Sequence, residues 1–194
     1  MTERRSRLFV VAAALAIAIC TILPTPRAAA RKQSEAAQAR QVLLERREER
    51  RLLVRIARKR DETWHWQRLM GRRLAPSEIS SVRTTGPTRR RTELRVWTHR
   101  ARYARKRALR PPHRHAWLCI HRFEGAWNDP DAPYYGGLQM DTSFQRTYGP
   151  VLLRRKGTAD RWTPLEQMWV AERALRSGRG FHPWPNTARF CGLL

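Results

Sequence analysis

The chain has 194 residues, 41 % hydrophobic and 29 % charged, with 40 Lys/Arg against 16 Asp/Glu for a formal net charge of +24. That length accommodates one ordinary domain with extensions, and the hydrophobic share leaves one modest core. An evenly charged globule is excluded: residues 1–110 hold 29 of the basic and 9 of the acidic side chains, residues 111–194 only 11 and 7. A basic arm over 31–110 and a near-neutral domain over 111–194 are therefore expected, meeting at Pro111–Pro112.

The first 30 residues read as an export signal. MTERRSR is a basic start, LFVVAAALAIAICTIL is an apolar run of 16 residues over 8–23, and PTPRAAA offers Ala28 and Ala30 as a cleavage site. The alternative is an uncleaved membrane anchor. At ~1.5 Å per residue the run falls short of a ~30 Å hydrocarbon core, unless flanking residues extend it. Ile19 is too bulky a neighbour for Cys20 to be a lipidation site.

Residues 31–60 lack Gly and Pro and predict a helix. Val42, Leu43, Leu44, Leu52, Leu53, Val54 and Ile56 give it a patchy apolar stripe, and Glu45 and Glu49 face arginines at i+1 to i+4. It reads as a solvated stalk or as a helix lying on an anionic surface. Trp64, Trp66, Leu69 and Met70 stand in otherwise polar surroundings and predict a contact, with the C-terminal domain, a partner or a wall polymer. Residues 75–91 read as linker. Residues 92–110 predict a second basic helix, with Leu94, Trp97, Ala101 and Ala104 or Ala108 on one face, ended by the two prolines.

The last 84 residues differ in kind. HAWLCIHRFEG predicts a short helix with Trp117, Cys119 or Ile120, and Phe123 on its apolar side, stopped by Gly125. NDPDAPYYGG is turn-rich, and GLQM is a short buried strand or the start of the next helix. DTSFQRTYG predicts a helix capped by Asp141 or Thr142 and closed by Gly149, with Phe144 and Tyr148 inward. TPLEQMWVAERALRSG is the clearest helix. Thr163 and Glu166 have capping-box spacing, Pro164 suits the first turn, and Gly178 suits the end. Leu165, Met168, Trp169 and Leu175 are its core stripe.

Removal of a signal would leave Cys119 and Cys191. In an oxidising compartment they make a natural disulfide pair, closing about 72 residues and worth roughly 4 kcal/mol. A domain of ~80 residues needs such a staple. Two alternatives stay open: free thiols, or a metal site built from His113, His115, Cys119 and His121, which lacks a second ligand pair elsewhere.

Glu124 is the candidate acid. It follows Phe123, precedes a glycine, and ends a helix bearing Trp117 and Ile120, with Trp127 just beyond. A carboxyl in an apolar setting can hold a proton for a departing sugar oxygen. An exposed helix-end charge is the plainer reading of the same residues.

The stretch WLCIHRFEGAWNDPDAPYYGGLQMDTSFQRTYG, the EQ…VAER helix, the late Trp-Pro and the closing Cys together resemble the resuscitation-promoting factors and related transglycosylase-like domains of actinobacteria, in the lysozyme superfamily. The resemblance covers roughly 116–192. It implies a mainly α, lysozyme-like α+β domain with Glu124 as the single catalytic acid/base, cutting the bond between the alternating amino sugars of peptidoglycan. It implies that Tyr135, Gly137, Gln139, Asp141, Gln167 and Trp184 line or shape the cleft. Two departures stand out. Cys119 lies five residues before the glutamate, where many members have it immediately before, and Phe144 sits where the family often has threonine.

A retaining glycosidase would need a second carboxylate about 5 Å away and an inverting one ~6.5–9.5 Å away; Asp129, Asp131 and Asp141 are the candidates. A lytic transglycosylase needs none. The expected setting is the cell envelope, secreted or anchored. The expected partners are peptidoglycan strands, anionic wall polymers or a membrane surface held by the arm, and a partner hydrolase. No cofactor is implied. In a cytosolic protein the same arm would suggest nucleic acid, which the export signal argues against. The alternative function is a catalytically inactive wall-binding or signalling module.

Overall fold

The computed structural model describes residues 26–77 and 86–194. Most of the expected signal segment, with its apolar run at 8–23, and part of the expected linker lie outside the described residues. Among the described residues no helix is long and apolar enough to cross a membrane. The protein is mainly helical.

Helix α1 spans Pro26–Leu69 and α2 spans Pro87–Ala108. The chain divides into two compact units, Met1–Leu44 and Glu45–Leu194. In the first, Val42, Leu43 and Leu44 are exposed, so this part of the expected stripe is solvated. Arg31 pairs with Glu35 at 2.9 Å on an open face, where such a pair contributes little.

The second unit opens on the rest of α1. Leu52, Ile56 and Thr63 are buried at helical spacing, while Leu53 and Val54 are not. Two acids of α1 reach across to α2, Glu48 to Arg91 at 2.5 Å and Glu49 to Arg90 at 3.8 Å, while Glu62 pairs along its own helix with Lys59 at 2.7 Å. Trp64 meets Trp97 edge to face at 6.3 Å. The α2 stripe is Glu93, Trp97, Ala101, Ala104 and Ala108, and Arg90 bonds Glu93 at its head. This helix begins five residues before the sequence suggests. Pro87 sits in its first turn, where a missing N–H costs nothing, so the proline opens a helix instead of extending a linker.

A Schellman motif ends α1. Gly71 (φ +63°) donates its N–H to Arg68 O, and Arg72 donates to Gln67 O. Two guanidiniums take the carbonyls left over, Arg173 on Leu69 O at 2.8 Å and Arg176 on Met70 O at 2.9 Å. Burial and the neighbouring Arg176 pull Arg173 down to about 10. Met70, Ala104, Ala108 and Trp169 form one apolar cluster, so chain on both sides of Pro111–Pro112 packs together.

After the prolines come α3 (Arg114–Glu124), the strands β1 (Tyr134–Tyr135) and β2 (Met140–Asp141), α4 (Thr142–Tyr148), α5 (Pro150–Lys156), α6 (Pro164–Ala174) and α7 (Pro185–Phe190). The strands pair antiparallel, Tyr134 with Asp141 and Tyr135 with Met140. Local signals set these ends. Asp141 caps α4 by accepting the Phe144 N–H, and Thr163 and Glu166 close a reciprocal capping box on α6. One core joins them, built from Trp117, Ile120, Leu138, Met140, Phe144, Trp162, Met168, Val170 and Trp184.

Glu172 lies inside this unit with 1 % of its surface exposed. Its carboxylate accepts the Trp117 Nε1–H at 2.9 Å and the His113 N–H at 2.8 Å, pinning the start of α3 to α6. Glu172→Ala is expected to cost about 3 kcal/mol, since each orphaned donor loses ~1–3 kcal/mol. Glu172→Gln keeps an acceptor oxygen and is expected to cost less than half of that. Denaturant unfolding of the two variants checks the difference.

Candidate active site

The candidate acid owes its direction to helical arithmetic. Trp117 and Ile120 face the core from α3. The next position on that face is Glu124, four after Ile120 and seven after Trp117, not Phe123. Phe123 is accordingly 54 % exposed, against the expectation that it packs inward, while Glu124 is half-buried.

Thr187 of α7 lies opposite. Its Oγ1 donates to Glu124 Oε1 at 2.7 Å. The bond that ties the two helices is the Cys119–Cys191 disulfide, whose Cα atoms are 6.0 Å apart. Cys119 is thereby committed to sulfur, which takes it out of the metal-ligand alternative. Among the described residues no cluster of three or more His, Cys, Asp or Glu side chains could hold an ion. Phe123 and Phe190 stay exposed along the α3–α7 seam, with ring centroids 5.9 Å apart.

On the other side of Glu124, the chain turns at Gly125 and folds back over it. A Cβ built on Gly125 would lie 3.1 Å from Asp129 Oδ2 and 3.4 Å from Gln139 Nε2. Those two groups bond each other at 2.8 Å, and Gln139 also donates to Gly136 O. Gln139 has φ +45°, a left-handed conformation unusual for a side-chain-bearing residue and often found at functional sites. Asp129 Oδ1 accepts the Asp131 N–H. Gly137 is buried because nothing larger fits: a Cβ there would stand 2.5 Å from the His121 ring and 2.9 Å from Trp127. That histidine stacks on Trp127 at 3.9 Å.

The other expected residues sit elsewhere. Tyr135 is half-buried on β1 against the core. Asp141 is occupied as the α4 cap, accepting from Phe144 N at 2.7 Å and Ser143 Oγ at 2.8 Å; the Phe144 amide leads in holding its carboxyl below the usual range. Gln167 is fully buried, its Nε2 donating to the carbonyls of Trp127 and Ala159. Trp184 is 3 % exposed, its Nε1 donating to Leu138 O at 2.6 Å between Trp117 and Phe144. Gln167 and Trp184 brace the loops from beneath and present almost no surface to a ligand.

Thr187 was not among the residues that sequence reasoning singled out. The only available signal was its position four residues before a cysteine expected to bond back toward α3.

A scan against protein-family models finds no match, and searches of curated proteins and of solved structures find none.

Proposed function

We propose that this protein is a peptidoglycan glycosidase of lysozyme-like type, cleaving the bond between the alternating amino sugars with Glu124 as acid and base. The observation that carries the reading is the placement of Glu124: half-buried at a helix end, one oxygen held by Thr187 at 2.7 Å, and followed by Gly125, against which the Asp129–Gln139 pair closes in. The exposed Phe123–Phe190 pair adds apolar surface of the kind that packs against sugar faces. The basic arm would hold the protein to the anionic envelope by screened contacts.

A single-carboxylate route is favoured over hydrolysis with two. Asp129 and Asp141 are already engaged by neighbouring donors, and Asp131 is exposed. Glu124 protonates the glycosidic oxygen as the C1–O bond breaks. It then takes the proton of the 6-hydroxyl of the same muramic acid as that oxygen closes on C1, giving a 1,6-anhydro product without consuming water.

The test is mass spectrometry of purified peptidoglycan digested by the protein. Anhydro-muropeptides are expected. Reducing ends in their place would mean hydrolysis and would turn attention to Asp129. No product from folded, disulfide-bonded protein would favour the wall-binding alternative.

A further inference from the structure

A cavity of about 580 Å³ lies where the end of α2, the chain just past α1, and α6 meet. Five cations line it: Arg72, Lys106, Arg107, Arg110 and Arg176. Among the described residues none of them is in an ion pair. The lone carboxylate on the wall, Glu172, is already engaged by His113 and Trp117. Five cations against that one carboxylate leave the wall with an excess of positive charge, and an anion relieves the repulsion among them.

The cavity is built rather than incidental. Its Trp169 wall is fixed by a 2.7 Å bond from Nε1 to Ala108 O, and Arg176 is fixed on Met70 O. Tyr103 stands at the rim, accepting from Arg107 Nη1 at 3.1 Å, which leaves its own O–H to donate. The bond and charge of Arg107, with help from Arg72, hold that phenol below the usual tyrosine range, a sign of the local positive field. Four of the five cations are arginines, whose planar forks match phosphate oxygens. The volume suits a group larger than a bare ion. The site is separate from the candidate acid: Glu172 meets the first turn of α3, and Glu124 ends that helix about 16 Å further along.

We propose that this cavity binds a phosphate ester carried on a sugar or polyol, one repeat of an anionic polymer, with the phosphate among Arg72, Lys106 and Arg110 and the carbon skeleton against Tyr103 and Trp169. That the polymer belongs to the cell envelope rests on the function proposed above; the anion site itself does not.

Isothermal titration calorimetry with a short poly(glycerol phosphate) tests it, using the full protein at low salt. Lys106→Ala/Arg110→Ala is compared with Arg89→Ala/Arg102→Ala, which removes the same charge from exposed positions of α2 that do not line the cavity. One site per chain is expected, weakened at least about tenfold by the cavity pair and less than about twofold by the control pair. Equal weakening by both pairs, or no binding by the parent, overturns the proposal. Tighter, cavity-dependent binding of phosphatidylglycerol vesicles or of a DNA oligonucleotide overturns the polyol-phosphate assignment. Peptidoglycan digestion is read separately, so failure of this site and failure of the Glu124 reading are distinguishable.

Discussion

Glu124→Gln is expected to slow release of muropeptides by about 10²–10⁴-fold, the range that positioned proton transfer contributes. The substitution is close to isosteric, and its amide oxygen still accepts the Thr187 hydroxyl, so the melting temperature is expected to stay within about 2 °C of the parent. What it lacks is a proton to give. Asp129→Asn is the informative comparison. Its remaining oxygen can keep one of the two bonds that Asp129 accepts, from Gln139 or from the Asp131 amide. Under the single-carboxylate route its loss stays below about tenfold. Equal losses in the two variants would make Asp129 a second catalytic carboxylate and overturn the anhydro route.

Removing the Cys119–Cys191 bond, by the double alanine variant or by reductant, is expected to cost about 4 kcal/mol, since it closes 72 residues. For a unit of this size that lowers the melting temperature by roughly 8–16 °C. The effect on chemistry should exceed the effect on folding. Cys191 sits one turn beyond Thr187 on the same chain segment, so opening the bond frees α7 and its hydroxyl from Glu124. Thermal melts and digestion assays with and without reductant check both parts. A melting shift under about 2 °C would show that packing alone joins α3 to α7.

Much of the C-terminal fold is legible because its determinants are local. Asp141 and Thr163 announce helix starts through bonds that span three residues, and Gly149 marks a helix end. The partner of Glu124 is not legible. Thr187 is 63 residues away, and a threonine in that setting looks like any other. Trp184 and Gln167 mislead for a different reason. Indole and carboxamide groups serve sugar clefts and buried carbonyls equally well, and only burial tells the two uses apart. Phe123 fails on phase: adjacency to Ile120 and Trp117 in sequence does not survive the 100° step of the helix. The packing of α2 on α6 is obscured by weak patterning, because its contact face is largely alanine among arginines.

The guanidiniums of Arg173, on the helix that also holds Glu172, and of Arg176, just past its end, grip the carbonyls of Leu69 and Met70 where α1 stops. Residues 45–69 are thereby mounted on the domain as a bracket, not hung from it by a swivel. A surface that grips this bracket would set the heading of the Glu124 face as well as its address. Attachment and aim would then be one variable.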